Sequence, residues 1–476
     1  MSQSKIPETQ RALVFQGGGA LGAYDAGVFR ALYEKIGQKE GYDKLFDIVA
    51  GTSSGAMNGA ILVSHVKENG TWEGSLDKLN AFWKYVSTEP DLRYWYPYAP
   101  NEKDWIKQWN IQRGTNPNSA SSESARRYYA AKQFLFSGVP HVYTPQFWTP
   151  YYPFNGPPKA DDRFLDNFSI PIGNMWYIYS NQPLRESLER FAKFPIATNL
   201  DQNQPRLLLV SVDVQGGAVV TFDSYPKDKD GNIRESRYGN KSSEYTISYP
   251  DGIRLDHAIA SGSVPINYDY AKIDDVYVSN SDKVTRYFWD GGILSNTPLR
   301  ELIQWHKDYW FRVKGKEHDN APVPNLDVYI VDVWPTTEEN IPQDRDGALD
   351  RKEDLLLNDK TDYDQKVSDM VSDYIKLYQR TRELALNNIK GQNDKKAFQT
   401  DLDKFLTNEN TKSKHRTGQP RQYKDLVNGR FDINVIRIER TKNVEHDIWN
   451  KMLDYSTETI KHLIQDGYDD AIQALE

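Results

Sequence analysis

Residues 48–59 carry an apolar run into Gly51-Thr52-Ser53-Ser54-Gly55, and the small residues that follow continue at helical spacing. A serine hydroxyl is a poor nucleophile until it is presented, relieved of its proton and given donors for the oxyanion it creates. A sharp strand-to-helix turn meets the first need, and Gly51 and Gly55 flank Ser53 where a side chain would block the bend. Ser53 therefore reads as a nucleophile, placed at a helix N-terminus that favours developing negative charge. Two other blocks have matching chemistry. Gly17-Gly18-Gly19-Ala20-Leu21-Gly22 ends a second apolar run. Without side chains, Gly17, Gly18 and Gly19 can turn their N–H groups into a concavity that holds an oxyanion, and Gly22 opens the helix beyond. Asp290 closes a third apolar run directly before Gly291 and Gly292, which presents a carboxylate at a strand end.

These residues need elements to hold them. Residues 11–16 read as a buried strand, then the glycine loop, then a helix; residues 46–50 repeat the pattern with the serine turn and a helix toward Glu68. Strand-helix-strand-helix implies a right-handed crossover and an α/β fold with a mostly parallel central sheet, its functional loops at the carboxyl ends of the strands. Residues 206–214 and 326–334 read as further core strands. Segments 219–222 and 245–248 read as the arms of a hairpin whose turn is residues 228–232. A calcium loop there is disfavoured, because the glycine is misplaced and no glutamate closes it. Residues 255–265 read as a helix stopped by small residues and Pro265, and Pro298 opens an amphipathic helix through Leu299, Leu302 and Ile303.

The domain organisation follows from composition shifts. A core domain of residues 1–342 contains an insertion at 82–197, rich in aromatics and proline, in which only short helices are expected. Such a segment either covers the site as a lid or builds a small core of its own. Residues 343–476 read as a mainly helical extension packing on the core, with a helix at 370–388, a basic loop at 391–421, a strand at 431–438 and a closing helix at 455–475.

Composition excludes several function classes. The chain has 476 residues, no cysteine and eight scattered histidines without a zinc-protease spacing, so disulfides, thiol chemistry and a metal site are not expected. A net charge of -8 leaves no basic stripe for nucleic acid. No apolar stretch is long enough to span a bilayer and the first ten residues are polar, which points to a cytoplasmic protein without a signal peptide, non-classical secretion aside. Aromatics make up 13% of the chain, a load suited to wet grooves and lids. The oligomeric state has no signal in the sequence.

In order and setting, the three blocks resemble the signature of the patatin-like phospholipases, over roughly residues 11–335. Residues 259–265 are similar to a further block of that family, and residues 455–460 with 467–471 look like the tail of some bacterial members. The resemblance implies a patatin-type three-layer sandwich and a Ser53–Asp290 dyad without histidine, in which Asp290 takes the serine proton directly. It further implies Gly17, Gly18 and Gly19 as the oxyanion loop, an acyl-enzyme, a lipid or phospholipid ester as substrate and no cofactor. Contact with a membrane or micelle surface would be transient, through exposed aromatics such as Trp95, Trp148 and Tyr151. One position departs: the family's loop commonly carries Arg or Lys where Leu21 stands, which leaves the backbone donors intact but bears on headgroup preference. A non-lipid esterase or polyester depolymerase with a histidine triad would need His306 or His257. A scaffold or lipid-binding module that has lost activity would lack serine reactivity. A dinucleotide fingerprint in Gly17, Gly19 and Gly22 would need an acid at the end of the second strand, whereas Asp47 lies near its start.

Overall fold

The computed structural model describes residues 7–90, 104, 107, 120–145, 177–228, 232–240, 243–278, 282–310, 323–338, 341–358, 361–414, 420–427, 431–440 and 448–476. Ten of its strands form one sheet: β1 (Thr9–Phe15), β2 (Ile48–Thr52), β3 (Arg206–Asp213), β4 (Ala218–Asp223), β5 (Glu235–Asn240), β6 (Ser243–Ser248), β7 (Ala271–Val278), β8 (Asp282–Asp290), β9 (Asn325–Asp332) and β10 (Ile433–Glu439). The order is β10-β9-β1-β2-β3-β8-β7-β6-β5, with β4 also on β3. The five strands from β10 to β3 are parallel to one another. Of these, β2 and β3 are buried along their whole length, because both of their faces are covered. On β1, Leu13 and Phe15 face one core with Tyr24, Val28 and Phe29, while Ala12 and Val14 face another with Leu299, Leu302 and Trp305. The first core is roofed by α1 (Gly22–Glu40), α2 (Ser54–Asn69) and α3 (Ser75–Val86). This is the expected three-layer α/β sandwich.

Strand register brings the serine turn and the acid together. Strand β4 occupies one edge of β3 along Leu208–Asp213, so β2, paired with Arg206–Val210, and β8, paired with Ser211–Asp213, share the other edge. Parallel β2 and antiparallel β8 therefore meet end to end, Thr52 opposite Val210 and Asp290 opposite Ser211. Nothing larger than a hydrogen fits at the junction: a Cβ on Gly291 would lie 2.5 Å from the Val210 carbonyl oxygen and 2.9 Å from Thr52 Cγ2.

Further helices are α4 (Ala120–Ser137), α5 (Gln182–Phe191), α6 (Leu255–Ser261), α7 (Leu299–Asp308), α8 (Arg345–Leu357), α9 (Thr361–Asn388), α10 (Gln392–Leu406) and α11 (Thr457–Ala474). Several local expectations are corrected. Residues 245–248 pair with β5 rather than with 219–222, which instead pairs with β3, so the hairpin is β5–β6. Residues 229–231 of the supposed turn lie outside the described residues. The insertion contains a helix of 18 residues, α4, where only short ones were expected. Much of the 391–421 segment is helix α10, because its apolar residues were too sparse to signal a helix that stays largely exposed. Trp95, Trp148 and Tyr151 lie outside the described residues. No helix among the described residues is long and apolar enough to cross a membrane.

The C-terminal helix α11 crosses α1 at two glycines. A Cβ on Gly27 would fall 1.9 Å from the Ile464 carbonyl oxygen, and one on Gly467 2.2 Å from that of Tyr24. Gly27→Ala is expected to cost about 2 kcal/mol through forced separation of the helices, despite roughly 1 kcal/mol of helix propensity in alanine's favour. Urea unfolding checks this, and an unchanged or higher midpoint would contradict the tight crossing.

Candidate active site

Ser53 stands between β2 and α2 with φ 54° and ψ -123°, a conformation that costs a non-glycine residue energy and that the surroundings must impose. The surroundings are close. A Cβ on Gly51 would lie 2.3 Å from the Gly55 carbonyl oxygen, and one on Gly55 2.6 Å from that of Phe15. The Ser53 N–H donates to Ser261 Oγ at 3.0 Å, and that hydroxyl donates to the Val210 carbonyl at 2.6 Å. Helix α6 thus pins the turn to β3 through one side chain. Ser261→Ala would leave a buried N–H and a carbonyl without these partners, at a cost of about 1–3 kcal/mol. A kcat reduction of about tenfold or more with little change in KM is expected from the loosened turn; steady-state kinetics on any accepted ester would show it.

The Ser53 hydroxyl lies beside the Asp290 carboxylate, near enough to favour its ionised form. Asp290 is 5% exposed and Ser53 9%. Burial pushes the Asp290 carboxyl up to about 6, opposed by the neighbouring Ser53 hydroxyl and by the Gly292 N–H, which donates to the carboxylate at 2.7 Å. The acid's own backbone is tied down by its N–H, which donates to the Ser263 carbonyl at 2.8 Å. Gly292 lies behind the carboxylate, where a Cβ would sit 3.1 Å from Asp290 Oδ1.

The glycine loop lies against this pair, and its three N–H groups differ. That of Gly17 donates to the Asn296 carbonyl at 3.2 Å, and that of Gly18 to Ser54 Oγ at 3.0 Å. Gly19 has φ 57° and opens a 3-10 turn, whose first N–H has no partner within the turn. The loop is held from beneath. Gly17's carbonyl accepts from Trp334 Nε1 at 2.7 Å and Asn296 Nδ2 at 3.0 Å, while Gln16 Oε1 accepts from the N–H groups of Val333 and Trp334. A Cβ on Gly22 would touch Ser54 at 2.7 Å, so the two helix starts pack directly. Leu21 is fully buried in the core, where a cation would be desolvated.

The remaining sequence candidates lie elsewhere. His257 is buried and stacked on Phe222 at 4.3 Å, and its Nδ1 accepts from the Arg254 N–H. His306 is buried with Nε2 on the Pro324 carbonyl at 2.8 Å. Burial lowers both imidazoles to about 3, so both are neutral at pH 7. Asp47, at the far end of β2 from Ser53, accepts from the Arg11 N–H and pairs with Lys44.

Above Ser53 opens a narrow cleft bounded by Gly19, Met57, Trp83, Tyr143, Tyr268, Met452 and Tyr455. Its walls are largely apolar. The position of Trp83 comes from a buried relay: its Nε1–H donates to Asn58 Oδ1 at 3.0 Å, and Asn58 Nδ2 donates to the Gly22 carbonyl and to Asp25 Oδ2. The family model for patatin-like phospholipases matches residues 13–303. The chain belongs to this family. Membership brings lipids as the substrate class and lipid hydrolysis, in general terms, as the activity class. Among solved structures, the crystal structure of VipD from Legionella pneumophila is similar over 98% of this chain and 67% of its own, at 13% identity and a TM-score of 0.30. No curated protein matches the chain. In this patatin-like chain Ser261, Asn58 and Trp334 were not singled out from sequence as positioning residues, since each acts on a partner far along the chain. The only sequence signal for Ser261 was the small-residue block it sits in.

Proposed function

We propose that this protein is a serine acyl hydrolase for lipid carboxylic esters, with Ser53 as nucleophile and Asp290 as its base. The observation that carries the reading is the Ser53 hydroxyl lying beside a buried carboxylate where β2 and β8 meet, next to an apolar cleft. Ser53 Oγ attacks the ester carbonyl carbon while its proton passes to Asp290. The tetrahedral oxyanion is met by the Gly19 N–H, with the Gly18 N–H joining when Ser54 releases it; the Gly17 N–H, spent on Asn296, shapes the loop instead. Collapse expels the alcohol, which takes the proton from Asp290. Water then attacks the acyl-enzyme, its proton passes to Asp290 and on to Ser53 Oγ, and the fatty acid leaves. Two neutral imidazoles engaged elsewhere support a dyad over a histidine triad. The apolar walls favour a long acyl chain over a polar acid.

Labelling of the purified protein by a fluorophosphonate, with hydrolysis of phospholipid, glycolipid and p-nitrophenyl esters compared side by side, tests the reading. Covalent labelling with acyl release is the expected result. A protein that is neither labelled nor active on any ester would be a binding module, and the proposal would fail.

A further inference from the structure

The residues that adjoin the glycine loop at the cleft come from the other end of the chain. Met452 touches Gly19 directly: a Cβ on that glycine would lie 2.6 Å from the Met452 carbonyl oxygen and 3.3 Å from Met452 Cβ. Met452, Leu453 and Tyr455 border the same cleft as Ser53, and all three lie outside the matched region that ends at residue 303. We propose that residues 448–455 form a wall of the substrate cleft and that Met452 is a specificity-determining residue for the acyl group, an inference that rests on the hydrolase reading above.

The segment is held by buried ion pairs and hydrogen bonds. Lys451 is fully buried, its ammonium 2.6 Å from Asp354 Oδ1 and 3.2 Å from Asp350 Oδ1, and 5.4 Å from the ring centre of Trp334. The same indole donates to the Gly17 carbonyl, so one side chain braces both the glycine loop and the wall. Three residues on, Asp454 is also fully buried and accepts from Ser456 Oγ at 2.5 Å and Thr459 Oγ1 at 2.7 Å, the hydroxyls to which Arg126 donates at 2.9 and 2.7 Å. Asn450 takes a left-handed conformation, φ 66°, that turns the chain toward the cleft. Beyond, α11 is locked on α1 at Gly27 and Gly467, and Tyr24 donates to Asp470 at 3.0 Å.

Fixed at both ends, this wall presents one flexible, unbranched side chain beside the nucleophile and the first free loop N–H. A thioether adapts to an alkyl chain lying against it, and its volume sets how much chain the cleft admits at the ester. Among the other residues that line the cleft, Tyr143 is braced against Tyr179 and Tyr268. Met452 is the adjustable part of this wall.

The test measures kcat/KM for p-nitrophenyl esters from butyrate to palmitate with the full-length wild type, Met452→Ala and Met452→Trp, each normalised to the fraction labelled by fluorophosphonate. Met452→Trp is expected to lower the palmitate-to-butyrate ratio about tenfold, and Met452→Ala to shift it the opposite way or to admit branched acyl chains that the wild type rejects. If the indole disrupts packing, as thermal unfolding would reveal, the alanine variant decides alone. An active enzyme whose ratio and branched-chain acceptance are unmoved overturns this inference and leaves the hydrolase reading standing. A wild type inert toward every ester overturns both.

Discussion

Asp290→Asn is expected to lower kcat/KM by about a thousandfold, the range associated with removing a positioned general base, while making the protein more stable at neutral pH. Both effects come from one buried carboxyl. As a base it must be ionised, and burial places its pKa at about 6. Wild-type kcat/KM should therefore rise with pH up to about 6 and level above it. Residual activity of the variant should lack that limb. The stability effect has the opposite sign. A carboxyl whose folded pKa exceeds the ordinary 3.8 retains its proton in the native state after the unfolded chain has lost its own, so raising the pH from about 4 through 6 destabilises the wild type. Asparagine abolishes this loss. At pH 7 the variant gains on the order of 3 kcal/mol at most, from roughly two pKa units at 1.36 kcal/mol each, and near pH 4 the gain nearly vanishes. Urea unfolding at the two pH values separates the carboxyl from every group the proteins share. An acid limb that survives in the asparagine variant would place the base elsewhere.

Removal of the nucleophile is expected to have the largest effect on rate. Ser53→Ala should abolish fluorophosphonate labelling and reduce ester hydrolysis by about 10^4-fold or more, as loss of the attacking atom does in other serine hydrolases. Ser53→Gly should be equally inactive but differ in stability. Alanine retains the Cβ that makes φ 54° costly, whereas glycine does not. Set against the extra chain entropy of glycine in the unfolded state, relief of that strain should leave Ser53→Gly about 1 kcal/mol more stable than Ser53→Ala. Equal melting of the two variants would mean that the turn holds no strain. Persistent labelling in either would point to another nucleophile.

The two catalytic candidates share an economy. Ser53 is held in an unfavourable backbone conformation and Asp290 in an environment that opposes its charge. Each would be more stable as a residue that cannot perform the proposed reaction, the usual relation between a reactive site and the fold supporting it. The energy comes from what surrounds them: sheet strands buried on both faces, and α1 and α11 crossing at glycines.

The sequence by itself determined the features whose causes are local. An apolar run followed by glycines reads as a strand end, and a serine between two glycines reads as a tight turn, because both reflect steric limits within a few residues. Hence the strand-loop-helix repeats, the α/β class and the three candidate blocks were legible. Helix α10 and the β5–β6 hairpin were not: in one the apolar periodicity was faint, and in the other two strands competed for the same partner. What only the tertiary structure decided is non-local. Asp290 meets Ser53 because β8 takes over one edge of β3 at Ser211, one rung beyond Val210, where β2 stops. The Gly17 N–H is spent because Asn296 folds back onto it, and Met452 borders the cleft because α11 docks on α1. Pairing register and helix docking depend on residues hundreds of positions apart, and no periodicity along the chain records them.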